Sequence, residues 1–333
     1  MRINADSTPL PAAWRGGVAA LGNFDGLHRG HQAVLGQAAA EARRRGRPFA
    51  VITFEPHPRR FFKPDTPPFR LTPRAERRSL LSAMGVDLLI EMPFDAALAA
   101  TSADAFIERY LHEAFGLSQV VVGYDYHFGH KRAGNADLLR RRGGELGFDL
   151  AVVDAFCLGD CEPEPVSSTQ IRQALCAGEA RRAADLLGHW WGITGTVVGG
   201  DQRGRTIGFP TANIQLGETL EPAFGVYAAR TILPDGRVVD SVTNLGRRPT
   251  FEGQAVLLET YLFDFDGDLY GQSLRVELVE RLRGERKFDG LDALKAQIAA
   301  DCDTARALLA DPAHARARLK PPHLGGVIDE SDA

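Results

Sequence analysis

Cysteine is scarce: Cys157, Cys161, Cys176 and Cys302 are the only four in 333 residues. They make no zinc pattern, since Cys157-x-x-x-Cys161 is too loosely spaced, and reduced thiols are expected. No apolar run approaches the roughly 20 residues of a membrane-spanning helix, so no membrane association is expected. Neither sign of charge dominates. Lys and Arg number 39 against 43 Asp and Glu, a net charge of −4, and no global basic field points to nucleic acid. The runs Arg43–Arg45 and Arg140–Arg142 fall in helical patterns and read as solvated faces. The first residues lack a basic segment followed by an apolar core, so no secretory signal is read and the cytoplasm is the expected location. No Gly-x-x-x-x-Gly-Lys-Ser/Thr occurs, which excludes a P-loop kinase. Internal repeats and long low-complexity tracts are also missing.

What remains is an ordinary globular composition, long enough for two domains with their own cores. The first half alternates strands with helices. Strands are expected at Gly17–Leu21, Phe49–Phe54, Leu88–Met92, Gln119–Gly123 and Leu150–Asp154. Helices are expected at Gln32–Arg45, Thr72–Met84 (Thr72 and Glu76 forming a capping box), from Thr101, at Ala136–Gly147, and, opened by the stretch Val166–Arg172, to about Ala177 with Gly178 as its stop. Phe106, Tyr110, Leu111 and Phe115 share a helical face and read as core. This alternation predicts an α/β doubly wound parallel sheet. After Leu187 the pattern changes to short alternating stretches, Gly192–Val198, Gly225–Leu233, Val238–Leu245, Leu257–Phe263 and Leu274–Leu282, separated by turn signals. They predict an antiparallel barrel or sandwich, with an amphipathic helix at Leu291–Leu309. The domain boundary is expected near Gly188–Gly192, and residues 316–333 read as a flexible tail.

Three segments carry chemistry. The stretch Leu21–His31, LGNFDGLHRGH, lies between a strand and a helix, where free helix-start N–H groups bind phosphate. Gly30 leaves room for a phosphate at the backbone, and the paired imidazoles of His28 and His31 can donate to phosphate oxygens as charge shifts onto them. The second segment, Val166-Ser167-Ser168-Thr169-Gln170-Ile171-Arg172, offers hydroxyls at a helix start and a cation one turn on. The third runs from Gly195 through Gly200, Arg203 and Gly204 to Gly208-Phe209-Pro210-Thr211-Ala212-Asn213. Its glycines let backbone N–H groups wrap a phosphate and its arginines add charge. Thr211 and Asn213, two apart on extended chain, point the same way and suit Mg²⁺ already bound to ATP phosphates.

The first two segments resemble the H-x-G-H and ISSTxxR signatures of the nucleotidyltransferase superfamily. GNFDGLHRGH in particular resembles the form found in the prokaryotic bifunctional riboflavin kinase/FAD synthetase family, and GFPTAN resembles the riboflavin kinase signature. The resemblance runs over roughly residues 16–310. It implies a nucleotidyltransferase (Rossmann-like) domain, residues 1–188, followed by a riboflavin kinase β-barrel, residues 189–315. The barrel would phosphorylate riboflavin to FMN with Mg·ATP, and the first domain would adenylylate FMN to FAD and release pyrophosphate. His28, His31 and Arg172 would be catalytic in the first domain, with Gly22, Asn23, Phe24, Asp25, Gly30, Ser167, Ser168 and Thr169 on ATP. FEPHPRRFF and GYDYHFG resemble flavin-side loops, implying flavin contacts from Phe54, His57, Pro58, Phe62, Asp125 and Phe128. In the barrel, Gly195, Gly200, Arg203 and Gly204 would hold phosphate, Thr211 and Asn213 the metal, and Glu259 would be the general base. Read by pattern alone, Glu259 is a solvated strand residue. Tyr126, His127, Gly199 and Tyr261 depart from the family pattern. They keep open a monofunctional relative with one decayed site. A non-catalytic flavin-binding or regulatory protein is the other alternative, and an adenylyltransferase for a different phosphate would leave GFPTAN unexplained. The partners implied are riboflavin, FMN and ATP, with no nucleic acid or membrane, and oligomerisation stays open.

Overall fold

The computed structural model describes residues 1–159, 164–199, 208–250 and 253–315. Cys161, Gly200, Arg203, Gly204 and the expected tail lie outside them. The described residues divide into two compact units, Met1–Thr66 with Arg74–Ser167, and Pro67–Pro73 with those from Ser168 to Ala315.

The first unit is a six-stranded parallel sheet in the order β1-β4-β3-β2-β5-β6. Its strands are β1 (Arg2–Asn4), β2 (Val18–Leu21), β3 (Phe49–Glu55), β4 (Leu88–Pro93), β5 (Gln119–Gly123) and β6 (Asp149–Val153). Helices α1 (Arg29–Arg45), α3 (Arg74–Ala83) and α6 (Ala136–Leu146) lie between them, with α2 (Pro58–Phe62) directly after β3 and α4 (Ala96–Ala100) and α5 (Ala103–Phe106) after β4. The first six residues of β3 are all buried, as expected for a strand covered on both faces, which reads as an unbroken apolar run. Ser102 caps the helix that starts at Ala103, and that helix widens over Ile107–Ala114, where Phe115 N–H donates to the Tyr110 carbonyl. Phe106, Leu111 and Phe115 are buried there as expected, and Tyr110 packs against them.

The strand order reverses between β2 and β5. Strands β3 and β4 lie to one side of β2, and β5 and β6 to the other. In open α/β sheets that reversal opens a crevice beyond the carboxyl ends of the two strands, and ligands bind in it. The loops that leave β2, β5 and the neighbouring β3 are those that carry GNFDGLHRGH, GYDYHF and EPHP.

The second unit holds a closed six-stranded barrel, in the order β10-β11-β8-β7-β12-β9. These strands are β7 (Gly192–Val198), β8 (Ala212–Gln215), β9 (Gly225–Ile232), β10 (Val238–Thr250), β11 (Gly253–Leu262) and β12 (Ser273–Arg283). Closure decides between the barrel and sandwich expectations in favour of the barrel. Val197, Ile214, Leu258 and Leu245 form one cross-strand row and are 0–4% exposed, filling the lumen. The opposite face carries Ala228, Val242 and Phe263, covered by Cys302, Ala305 and Leu309 of the C-terminal helix Leu291–Ala310. Helices α7 (Ser168–Ala177) and α8 (Ala180–Leu187) belong to this unit.

Local pattern misses five short strands and α-helices. The edge strand β1, the helix Ala96–Ala100 and helix α8 are three, five and eight residues long, too short to stand out by pattern. Pro58–Phe62 reads as loop but forms one helical turn capped by His57, whose ring accepts the Arg59 N–H at 3.1 Å. β8 is only four residues long.

Candidate active sites

In the first unit the motif closes on itself. Helix α1 starts at Arg29, three residues before the predicted start, because His28 serves as its N-cap: Nδ1 accepts the His31 backbone N–H at 3.3 Å. A ring nitrogen that accepts is unprotonated, so in the neutral ring the proton sits on Nε2. The His28 and His31 rings stack with centroids 3.6 Å apart, and Phe24 braces His31 edge-on at 5.3 Å. Phe24 and Leu27 hold positive φ angles of 51° and 44°. Such conformations cost about 1–3 kcal/mol each and persist where the surroundings enforce them; both side chains are fully buried, and Asp25 is buried too.

Gly30 is needed for a reason beyond phosphate access. A Cβ there would lie 3.2 Å from His28 Nδ1 and 3.6 Å from the Val166 carbonyl oxygen. The residue packs against the imidazole and faces the strand of chain that leads into Ser167, so two motifs distant in sequence meet at Gly30. Ser168, Thr169 and Arg172 fall in the second unit. There Arg172 Nε donates to the Phe69 carbonyl at 2.8 Å, with the guanidinium over the Phe69 ring.

The expected flavin residues are differently placed. Phe54 and Phe128 are buried in the core of the first unit. Phe54 meets Phe94 edge-on, and Phe94 also contacts Phe61 and Phe62. Phe62 is 64% exposed. This aromatic line runs from core to surface beside His57 and Pro58. Asp125 is exposed, and its carbonyl oxygen contacts His127 Nδ1 at 2.9 Å.

In the barrel, register builds the site. Asn213 on β8 pairs directly with Glu259 on β11, which pairs with Asn244 on β10. Opposed residues on one face of an antiparallel pair have Cβ atoms about 5 Å apart, so the three side chains form a row. Asn244 Nδ2 donates to Glu259 Oε2 at 3.4 Å. Glu259 is half-buried, unlike the solvated strand residue that pattern alone suggests. Thr211, two residues from Asn213, lines with it a cleft of about 610 Å³ whose far wall includes Asp266, Asp268 and Tyr270. Gly195 has a packing reason of its own: a Cβ there would come within 2.6 Å of Ile214 Cγ2. Tyr261 meets Phe209 edge-on at 5.5 Å.

Among the described residues no group of three or more His, Cys, Asp or Glu side chains could hold a metal, and no helix is long and apolar enough to cross a membrane. Burial and the neighbouring Asp301 push the Cys302 thiol up to about 11, which removes it as a nucleophile at neutral pH.

Family comparisons agree with this division. The FAD synthetase family model matches residues 10–170 and the riboflavin kinase model residues 187–309. The bifunctional riboflavin kinase/FMN adenylyltransferase of Escherichia coli (strain K12) is 42% identical over 295 residues, 89% of this chain and 93% of its own length. The chain belongs to this bifunctional family. The Bacillus subtilis (strain 168) protein of the same description is 36% identical over 290 residues, 85% of this chain and 90% of that one. A crystal structure described as a macrolide-efflux protein from Streptococcus pneumoniae superposes with a TM-score of 0.79 at 33% identity, covering 88% of this chain and 94% of that one. Sequence reasoning missed Asn244, which gains a role only through cross-strand register. It also missed Arg77 and Glu91, whose helix and strand give no local sign of charge facing inward.

Proposed function

We infer that the chain converts riboflavin to FMN and FMN to FAD, each step consuming one ATP. Residues 189–315 carry the kinase reaction and residues 1–188 the adenylyl transfer. The observation that supports this reading most is the Asn213–Glu259–Asn244 row, which puts a carboxylate between two amides beside the cleft that Thr211 and Asn213 line.

In the kinase step Glu259 takes the proton of the flavin's terminal ribityl hydroxyl as the oxygen attacks the γ-phosphorus of ATP. The P–O bond to ADP breaks, giving FMN and ADP. Asn244 holds the carboxylate in one orientation for that transfer. Thr211 and Asn213 are hard oxygen donors on one face of extended chain, and together with ATP phosphates they fit Mg²⁺, which takes few protein ligands and keeps its phosphate and water oxygens. Bound there, the ion would neutralise charge on the β- and γ-phosphates. Phosphoryl transfer is mostly positioning and charge neutralisation, which such a site can supply.

In the adenylyl step a phosphate oxygen of FMN attacks the α-phosphorus of ATP, and pyrophosphate leaves. The His28 Nε2–H and the His31 ring donate to the transferring phosphate, at a helix start that also favours negative charge. Gly22, Asn23, Phe24, Asp25, Gly30 and Ser167–Thr169 hold the nucleotide, and Arg172 neutralises the leaving pyrophosphate. Phe54, His57, Pro58, Phe62, Asp125 and Phe128 hold the flavin. The ATP supply suits a cytoplasmic location.

The test is to mix the protein with riboflavin, ATP and Mg²⁺ and separate the flavins over time by chromatography. FMN should form and then give way to FAD, and chelating the metal should stop FMN formation. Unchanged riboflavin and FMN in a folded sample would overturn the reading.

A further inference from the structure

This inference rests on the reading of the first unit as an FMN adenylyltransferase. At the carboxyl ends of β2 and β3 lies a cluster of inward-facing charges. The Arg77 side chain, from α3, is 1% exposed and that of Glu91, from β4, 0%. Arg77 reaches three places. Its Nη2 donates to Glu55 Oε2 at 2.9 Å and to Glu91 Oε1 at 3.4 Å. Its Nη1 donates to the Asn23 carbonyl oxygen at 3.4 Å, an oxygen that also accepts from Thr53 Oγ1 at 3.3 Å. Arg74 and Arg78 both donate to the other oxygen of Glu91, so Glu91 is clamped while it holds Arg77.

The two ends of this bridge matter. Asn23 belongs to the GNFDG turn on the nucleotide side. Glu55 is the last residue of β3 and is followed at once by Pro56-His57-Pro58 on the flavin side. A guanidinium is planar and presents its donors in a rigid fork. One such group holding both Asn23 and Glu55 fixes the spacing of the two loops. Stability alone is a poor reason for the cluster, because desolvation offsets most of the attraction in a buried ion pair.

We propose that Arg77 is a positioning residue that holds the nucleotide loop and the flavin loop at a fixed spacing, so that FMN and ATP meet at reacting distance. It touches neither substrate. A change at Arg77 therefore acts on the encounter of two bound substrates more than on the binding of either.

The test is Arg77→Lys in the full-length chain. Lysine keeps the charge beside Glu55 and Glu91, but its single ammonium cannot span both loops. The kcat for FAD formation should fall about tenfold, as expected when reacting groups are slightly misplaced. The KM values for FMN and ATP should each change less than about threefold, and riboflavin phosphorylation in the same sample should be unchanged. A purely structural role would be rescued by lysine and would leave kcat at the wild-type value. An unchanged kcat, or a raised KM for one substrate alone, overturns the proposal. Should Arg77→Lys fail to fold, Glu55→Gln is read by the same kcat criterion, with a loss of about threefold expected and an unchanged kcat counting against the proposal. Wild-type protein and His31→Ala, run alongside, separate the two levels of inference. If wild type makes no FAD from FMN, or His31→Ala makes it at full rate, the adenylyltransferase reading itself fails. If those controls behave as expected and only the Arg77 and Glu55 variants keep full kcat, the positioning role alone fails.

Discussion

His28 and His31 are bound to each other before any substrate arrives: Nδ1 of the first accepts the backbone N–H of the second, and the two rings stack at 3.6 Å. His28 is thus the helix cap as well as the phosphate donor proposed above, and removing it confounds the two, since losing an N-cap costs about 1 kcal/mol by itself. His31 caps nothing. His31→Ala should lower FAD formation from FMN by about 10²-fold or more, the usual loss for one donor aimed at developing charge. FMN formation from riboflavin should be untouched. Following both products in one reaction by chromatography measures this, and loss of both activities from a folded protein would contradict separate sites.

Gly30 provides a finer probe of the same relationship. Alanine favours a helix by about 1 kcal/mol over glycine. In Gly30→Ala its Cβ, however, would press on the His28 ring at 3.2 Å and turn it off its Nδ1 contact, and the lost cap offsets that gain. FAD formation should fall about tenfold while the melting temperature stays near the wild-type value. Wild-type activity in this variant would mean that the ring has room to move without loss of function.

In the barrel, Glu259→Gln keeps the size of the side chain and its contact with Asn244 but removes the base. FMN formation should fall by about 10²–10⁴-fold, the range supplied by a positioned general base, and FAD synthesis from supplied FMN should persist. Asn244→Ala should cost the kinase step less, about tenfold, because the carboxylate remains but is no longer held. A steady-state comparison of the two variants ranks the roles. Equal losses would mean that the row acts as one unit.

Much of this arrangement is visible in the chain before it folds, and the reasons are physical. Buried parallel strands such as Phe49–Glu55 are continuous apolar runs, and turn glycines delimit the barrel strands, so the two-part architecture follows from pattern. GNFDGLHRGH sits between a strand and a helix, and the structure keeps it there, so the place of the proposed phosphate site follows from local sequence. The elements that stay hidden depend on distant pairing. Glu259 looks like a solvated strand residue until register sets it between Asn213 and Asn244. Gly195 looks like a phosphate glycine, yet Ile214 also needs the space. Arg77 stands in a helix rich in arginine, and nothing within a turn of it says that this one faces inward.

The buried cluster around Glu91 also makes the first unit sensitive to acid. Burial pushes the Glu91 carboxyl towards its neutral form, but hydrogen bonds from Arg78 and Arg74 outweigh that and hold its affinity for protons below the ordinary value of 4.5. A carboxylate of this kind binds fewer protons folded than unfolded. Its contribution to stability is full above about pH 4.5 and is lost as pH falls through the lowered folded value. Glu91→Gln deletes that contribution at all pH values and leaves Arg77 with one carboxylate fewer, at a cost of about 3 kcal/mol at pH 7. This corresponds to a drop of about 10 °C in the unfolding midpoint for a unit of this size. Samples heated at pH 7 and near pH 3.5, returned to neutral pH and assayed for residual FAD formation, should show the gap between variant and wild type narrowing in acid as Glu91 of the wild type becomes protonated. The arginines keep their charge throughout, so a gap of equal size at both pH values would mean that Glu91 stabilises the unit by packing and not by charge.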